Sequence, residues 1–160
     1  MSDSHASTVS ARILIVDDEE NIRRLFAAWV AALGHSALTA ASADEALMIC
    51  RREPVDVALC DIRMPDRDGQ WLIAQLRQSH PAIPIIVATG VIDLPPLLTL
   101  RAGVFAYLVK PFSRQALEKV IERTLGADPA SLASRSFEPA VLFQAFDAID
   151  SALTRGRPPR

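Results

Sequence analysis

Short, nearly continuous apolar runs alternate along this chain with segments of helical periodicity, and this alternation constrains the fold more than any other feature. The strong runs are Ile13–Val16, Val55–Cys60, Ile83–Ala88 and Val104–Val109, and a weaker one covers Ser36–Ala40. Strands have this composition when helices cover both faces of a parallel sheet, because each strand is then buried on both sides. We therefore predict an α/β domain with a doubly wound, five-stranded parallel sheet over about residues 12–126.

The segments between these runs carry the periodicity of amphipathic helices. Helices are predicted after Glu19, after Ser42, over Asp68–Gln78, over Asp93–Ala102 and after Ser113. The Asp93–Ala102 stretch should give only a short helix, because Pro95 and Pro96 are tolerated in a first helical turn and not beyond it. Strands and helices then alternate throughout, and the functional crevice of such a sheet lies at the carboxyl ends of its strands.

The remaining segments are assigned by composition. Residues 1–11 are small and polar and are predicted to be a flexible tail. Residues 127–137 have the composition of a linker, residues 138–154 have the pattern of an amphipathic C-terminal helix, and residues 155–160 form a Pro- and Arg-rich flexible tail. The apolar stripe of that last helix fits packing on its own domain and docking to a partner equally well.

Charge and hydropathy narrow the classes of partner. The 160 residues carry a formal net charge of −2, which supplies no basic field to hold nucleic acid directly. No apolar run approaches the roughly 18 residues of a membrane span, and residues 1–12 lack a basic stretch followed by an apolar one. We therefore expect a cytoplasmic protein without membrane contact, in which Cys50 and Cys60 are reduced core residues.

Three carboxylates follow directly after apolar runs. Asp17 and Asp18 come after Ile13–Val16, and Asp61 comes after Val55–Cys60. If these two strands are neighbours, the three side chains meet at one edge of the sheet, where like charges repel unless a cation neutralises them. Magnesium suits a site with few carboxylates, several waters and a phosphate oxygen. Alone, Asp17 and Asp18 could equally begin a helix, where acidic residues favour the positive end of the dipole.

Two further polar residues end strands at the same edge. Thr89 follows Ile83–Ala88, and Lys110 ends the last strand. A hydroxyl, an ammonium and a metal around a carboxylate are what an incoming phosphoryl group needs for charge neutralisation. Asp61 stands alone on its strand and is therefore the nucleophile candidate.

Four sequence blocks containing these residues resemble the signature of response-regulator receiver domains. They are ILIVDDE at 13–19, DIRMPDRDG at 61–69, ATG at 88–90 and YLVKPF at 107–112. Each block alone is weak, but four in the right order and spacing are highly specific. The resemblance implies a flavodoxin-like sheet with strand order 2-1-3-4-5, in a stand-alone, single-domain receiver with an extra C-terminal helix.

The resemblance also implies a set of metal and phosphoryl contacts. Asp18 and Asp61 would bind Mg²⁺ directly, Asp17 would act mostly through water, and the backbone carbonyl of Arg63 would complete the protein ligands. Asp61 would accept a phosphoryl group from a histidine kinase or a histidine phosphotransfer protein. Lys110 would contact the phosphoryl oxygens.

The same resemblance implies how the signal leaves the site. Thr89 would move toward the phosphoryl group and Tyr107 would swing inward behind it, although Tyr107 also fits a simple half-buried position on a strand. The Lys110–Pro111 peptide bond is expected to be cis. Phosphorylation would change a surface made of the Asp93–Ala102 helix, the fifth strand and the helix after Ser113, which would bind a downstream protein. That surface or the C-terminal helix could also form a homodimer.

Two other functions compete with this interpretation. A magnesium-dependent phosphohydrolase also uses an aspartyl phosphate, but that class resembles Asp-x-Asp-x-Thr at its nucleophile, and here Asp61 is followed by Ile62 and Arg63. A receiver-like scaffold without phosphorylation would not need all of the acidic, hydroxyl and lysine residues. We therefore predict a signalling switch rather than an enzyme. At most, the protein would phosphorylate itself from small phosphodonors and hydrolyse its own aspartyl phosphate.

Overall fold

Five parallel strands form a single sheet in the part of the chain that the structure, a computed structural model, describes, namely residues 9–90 and 104–127. The strands are β1 Arg12–Val16, β2 Ser36–Ala40, β3 Val57–Cys60, β4 Ile85–Thr89 and β5 Val104–Val109. Their order in the sheet is β2-β1-β3-β4-β5. The described helices are α1 Glu20–Ala32, α2 Ala43–Arg52, α3 Gly69–Ser79 and α4 Arg114–Leu125. The predicted fold class and strand order are confirmed.

Helices cover both faces of this sheet, which explains the continuous apolar strands. Successive residues of β1 point to opposite faces, so Leu14 and Val16 join one hydrophobic cluster while Ile13 and Ile15 join the other. The first cluster includes buried residues of α2 and α3, and the second includes those of α1 and α4. These four apolar residues of β1 are at most 1% exposed.

Side-chain caps set the starts of three helices as the sequence indicates. The side chains of Ser42, Asp68 and Ser113 accept hydrogen bonds from the backbone N–H groups of Glu45, Trp71 and Ala116. At α2 the Glu45 carboxylate also accepts a hydrogen bond from the N–H of Ala41 at 2.8 Å. In a capping box it would accept from the N–H of Ser42, so the reciprocal bond is displaced here by one residue. After α1, Gly34 adopts a φ of 89°, the left-handed conformation that glycine commonly takes just after a helix.

Two strands begin later than their apolar runs. β3 starts at Val57 instead of Val55, and β4 starts at Ile85 instead of Ile83. At β4 the reason is local: Pro84 has no N–H for a sheet ladder, and the N–H of Ile83 bonds to the carbonyl of His80 in a turn.

The predicted Asp93–Ala102 helix, the 138–154 helix, residues 128–137 of the linker, the 155–160 tail and residues 1–8 of the first tail lie outside the described residues. Ala11, at the end of the predicted first tail, is 5% exposed, and its carbonyl accepts the N–H of Ser36 at 2.8 Å. Both cysteines are buried and free, as predicted. Among the described helices, none combines the length and apolar character that crossing a bilayer requires.

Candidate functional site

The sheet register brings the three predicted carboxylates together. Val16 of β1 is paired with Ala40 of β2 and with Cys60 of β3. The next residues continue this ladder, because the Asp17 N–H donates to the Ala40 carbonyl at 3.2 Å and the Asp61 N–H donates to the Val16 carbonyl at 2.9 Å. Asp17 and Asp61 are therefore neighbours at the carboxyl edge of the sheet.

Asp18 completes this acidic cluster. One carboxylate oxygen from each of Asp17, Asp18 and Asp61 lies within 4.8 Å of the others. Asp17 is 2% exposed and Asp61 is 7% exposed, whereas Asp18 is exposed to solvent. Oxygen ligands at this spacing, with one side open to water, are the donor set that Mg²⁺ prefers.

Protein groups already hold the Asp17 carboxylate. Its Oδ1 accepts the Glu19 N–H at 3.0 Å, and its Oδ2 accepts Lys110 Nζ at 2.5 Å. The carbonyl oxygen of Asp17 accepts Arg23 Nη1 at 2.8 Å. Because both carboxylate oxygens have protein donors, Asp17 is the least available of the three for direct contact with a cation.

Lys110 lies between the two buried carboxylates. Its Nζ is 2.5 Å from Asp17 Oδ2 and 3.7 Å from Asp61 Oδ2, and its side chain is 19% exposed. Lys110 thus lies beside the acidic residues, as predicted, and its closer contact is with Asp17. The predicted cis bond between Lys110 and Pro111 is also present.

The electrostatics of Asp61 reflect its position between opposing charges. Burial is the main cause that raises the pKa of its carboxyl group, and the Asp17 charge also raises it. Lys110 and the backbone N–H groups of Arg63 and Ile62 lower it, and the Arg63 N–H lies 3.4 Å from Asp61 Oδ1. With three carboxylates ionised and one ammonium among them, two negative charges remain uncompensated. A divalent cation matches that charge.

A close backbone contact fixes the loop that follows Asp61. The Gly69 N–H donates to the Ile62 carbonyl at 2.8 Å, and a Cβ on Gly69 would lie 2.1 Å from the carbonyl oxygen of Asp61. Only glycine permits this approach. Sequence reasoning missed the packing role of Gly69, and its place at the end of the DIRMPDRDG block was the one available signal.

The two predicted switch residues lie on neighbouring strands. Thr89 ends β4 and pairs with Val109 of β5, so its backbone reaches the same sheet edge as the acidic cluster. Tyr107 is 4% exposed and packs in the hydrophobic cluster that includes Val87, and burial raises the pKa of its hydroxyl. The ring is therefore directed inward.

Sequence reasoning also missed two groups that hold Asp17. The Glu19 N–H and the Arg23 guanidinium both belong to the start of α1 and bind opposite ends of the same residue. Asp17 and Arg23 are six residues apart, separated by a loop and a helical turn, and this spacing matches no recognisable sequence pattern. Their contact depends on the angle at which α1 leaves the sheet.

Comparisons with known proteins agree with this geometry. The family model of the response regulator receiver domain matches residues 13–122. A solved receiver domain protein (CheY-like) from Methanospirillum hungatei JF-1 is 32% identical, with a TM-score of 0.70 over 72% of this chain and 94% of that one. The response regulator TrrA from Thermotoga maritima, solved in complex with Mg(2+)-BeF, is 30% identical, with a TM-score of 0.67 over 72% of this chain and 99% of that one.

Curated relatives extend beyond the matched region. The transcriptional regulatory protein GlrR of Escherichia coli (strain K12) is 34% identical over 116 residues, which are 72% of this chain and 26% of GlrR. The chain thus spans about a quarter of the length of that relative.

Proposed function

The chain belongs to the response regulator receiver domain family, whose members are phosphorylation-activated signalling switches, and on this premise we propose that Asp61 is its phosphoacceptor. The observation that carries the proposal is the convergence of Asp17, Asp18 and Asp61 within 4.8 Å, with Lys110 Nζ 3.7 Å from Asp61. We assign the receiver domain to residues 12–126.

The reaction transfers a phosphoryl group from a phosphohistidine of a histidine kinase or histidine phosphotransfer protein. A carboxylate oxygen of Asp61 attacks phosphorus, and the bond between phosphorus and the imidazole nitrogen breaks. The electron pair of that bond stays on the imidazole nitrogen, which takes up a proton. Hydrolysis of the resulting aspartyl phosphate releases inorganic phosphate and returns the Asp61 carboxylate.

Lys110 supplies positive charge where the phosphoryl oxygens arrive. Its ammonium is close enough to Asp61 to contact them after a small movement away from Asp17 Oδ2. Charge-assisted hydrogen bonds of this kind act strongly in a buried site. Asp17 holds the ammonium ready until the phosphoryl group replaces it as partner.

The acidic cluster fits Mg²⁺, since its oxygens lie close together and carry uncompensated negative charge. Asp18 and Asp61 would bind the ion directly, Asp17 would act through water, and the Arg63 carbonyl would complete the protein ligands. When bound, the ion would supply positive charge to the Asp61 carboxylate and the phosphoryl oxygens. The crystal structure of TrrA, in complex with Mg(2+)-BeF, supports this assignment from a protein of the same fold.

Output is proposed to run through protein contacts. Thr89 and Tyr107 connect the phosphoryl site to the surface formed by the Asp93–Ala102 segment, β5 and α4, and a downstream protein or a second copy of the chain binds there. Within a cytoplasmic signalling pathway the chain acts as a phosphoacceptor and not as an enzyme on a separate substrate. The names of its curated relatives describe transcriptional regulators, whose other regions this chain does not match.

A phosphohydrolase is the weaker alternative. That reaction needs a second carboxylate near the nucleophile as acid and base. Two residues after Asp61 the chain has Arg63. Of the two other carboxylates in the acidic cluster, Asp17 is paired with Lys110, and Asp18 is the proposed ligand of Mg²⁺. This arrangement favours a phosphoacceptor over a phosphohydrolase.

Intact-mass measurement after incubation with acetyl phosphate tests the proposal. Wild type should gain one phosphoryl group only when Mg²⁺ is present, and Asp61→Asn should gain none. Asp56→Asn is the matched control, because Asp56 binds the Arg12 N–H at the other end of β1, and it should be labelled like wild type. Equal labelling of Asp61→Asn and wild type would refute the assignment.

A further inference from the structure

Three aromatic rings form a cluster beside the phosphoryl site. Phe26 and Phe112 are stacked with centroids 5.1 Å apart and planes inclined by 24°. The ring centroid of Trp29 lies 5.5 Å from that of Phe26 and 6.3 Å from that of Phe112, and the Trp29 and Phe112 rings meet edge to face. Phe26 and Trp29 are both on α1, whereas Phe112 follows β5, so the cluster joins two elements far apart in sequence.

The cluster also reaches the lysine of the site. Phe112 is two residues after Lys110, and Lys110 Nζ lies 5.9 Å from the ring centroid of Phe26. An aromatic face attracts an ammonium at this distance through its quadrupole. Phe26 therefore contacts the Lys110 loop through Phe112 and attracts the Lys110 ammonium through its own ring.

Helix α1 thus constrains both members of the Asp17–Lys110 pair. Arg23 binds the Asp17 carbonyl at 2.8 Å, one turn before Phe26 on the same helix. Phe26 is 4% exposed, so its ring has little freedom to move away. An aliphatic side chain at position 26 would fill the core but would offer neither a stacking face for Phe112 nor a quadrupole for the ammonium.

We propose that Phe26 is a positioning residue for Lys110: its ring holds the ammonium over the two buried carboxylates and so favours its contact with a phosphoryl group on Asp61. The inference rests on the proposed function of Asp61. The ring limits the positions of Nζ to the space between Asp17 and Asp61, which lowers the cost of ordering the lysine when the phosphoryl group arrives.

A double-mutant cycle tests whether Phe26 acts through Lys110. Affinity for beryllofluoride, a phosphoryl mimic, is measured at saturating Mg²⁺ for wild type, Phe26→Leu, Lys110→Ala and the double variant. Phe26→Leu should weaken binding about fivefold in the wild-type background, the size of a partly buried cation–π contact. In the Lys110→Ala background the same change should weaken binding less than about twofold.

Val30→Ala is the control for a general loss of packing. Val30 is 0% exposed on α1 and belongs to the same hydrophobic cluster as Phe26. The Val30→Ala change should lower the free energy of unfolding, measured in urea, at least as much as Phe26→Leu does. It should nevertheless leave the affinity for beryllofluoride within about twofold of wild type.

Three outcomes would overturn the inference. An equal loss of affinity from Phe26→Leu in both backgrounds would show that Phe26 does not act through Lys110. A loss of affinity in Val30→Ala as large as in Phe26→Leu would assign the effect to helix packing. Absence of beryllofluoride binding in wild type would contradict the proposed function itself, and the other two outcomes leave that function standing.

Discussion

The two ends of β1 carry the same kinds of charge in opposite environments. At its amino end, Arg12 Nη1 lies 3.4 Å from Glu53 Oε2, with side chains 45% and 48% exposed. At its carboxyl end, Lys110 Nζ lies 2.5 Å from Asp17 Oδ2, with side chains 19% and 2% exposed. Each end also has a second carboxylate close by, Asp56 at the first and Asp61 at the second.

This difference in burial decides what each cluster can do. Water screens the exposed pair, so its contribution to stability is at most about 1 kcal/mol. The buried carboxylates at the carboxyl end have lost hydration, and one lysine does not balance them. The charges at the amino end therefore change the free energy of unfolding little. At the carboxyl end, a bound cation or the removal of one negative charge should raise it.

The largest contrast between the two ends should appear in phosphorylation rate. Lys110→Ala removes the ammonium next to Asp61 and should slow labelling by acetyl phosphate about a hundredfold, the loss typical of one preorganised charge. Arg12→Ala removes the corresponding cation at the amino end and should leave the rate unchanged. Stopped time courses followed by intact mass give both rates. A similar rate for wild type and Lys110→Ala would contradict the role of the lysine.

The next largest effect concerns the close backbone packing of Gly69 against Asp61 at the carboxyl end of the sheet. In Gly69→Ala the new Cβ would lie 2.1 Å from the Asp61 carbonyl, a backbone atom that cannot move aside, and the free energy of unfolding should fall by about 3 kcal/mol. Gly126→Ala is the matched control. Its Cβ would meet the Glu122 carbonyl at 3.3 Å, and the change should stay within about 0.5 kcal/mol. Urea unfolding measures both, and equal stabilities would show that the close contact is absent.

Magnesium should stabilise the folded protein only by binding at the carboxyl end of β1. At a Mg²⁺ concentration ten times its Kd, wild type should gain about 1.4 kcal/mol in free energy of unfolding. Asp18→Asn should lose most of this gain, because it removes an exposed carboxylate of the acidic cluster. Asp56→Asn should keep it. Thermal melts across a magnesium titration compare the three proteins, and an equal gain in Asp18→Asn would place the ion elsewhere.

The smallest effect concerns stability without metal. Asp61→Asn removes a buried charge that faces Asp17 and should raise the free energy of unfolding at neutral pH by about 1 kcal/mol. Asp56→Asn removes the acceptor of the Arg12 N–H and should lower it by less than about 1 kcal/mol. Urea unfolding with a chelator present measures both changes.

The pH dependence of that gain has a definite sign. The pKa of Asp61 is raised in the folded protein, so the folded state binds a proton more tightly than the unfolded state does. Wild type therefore loses stability relative to Asp61→Asn as pH rises from the ordinary carboxyl pKa through the pKa of folded Asp61. A constant difference across that range would contradict the burial of an ionised Asp61.

The sequence predicts the sheet and the acidic cluster because both depend on local patterns. Apolar runs locate the strands, and the residues after Val16 and Cys60 must meet once β1 and β3 are neighbours. The closer pairing of Lys110 with Asp17 is different in kind. It joins residues 93 positions apart and depends on the conformation of a long side chain, which no local pattern encodes.

The aromatic cluster was missed for a related reason. Phe26 and Trp29 have the spacing of an ordinary buried helix face, and Phe112 stands in a loop. Their contact follows from where α1 packs against the end of β5, so it became visible only in three dimensions. Apolar spacing predicts that a face is buried and does not predict against which residues it packs.

Chemical mapping of the phosphorylated residue tests the central claim most directly. Borohydride reduces an aspartyl phosphate to homoserine, and peptide sequencing by mass spectrometry then locates the converted residue. After incubation with acetyl phosphate and Mg²⁺, homoserine at residue 61 and unchanged aspartates at Asp17, Asp18 and Asp56 are the expected result. Conversion at any of those other aspartates, with residue 61 unchanged, would contradict the account.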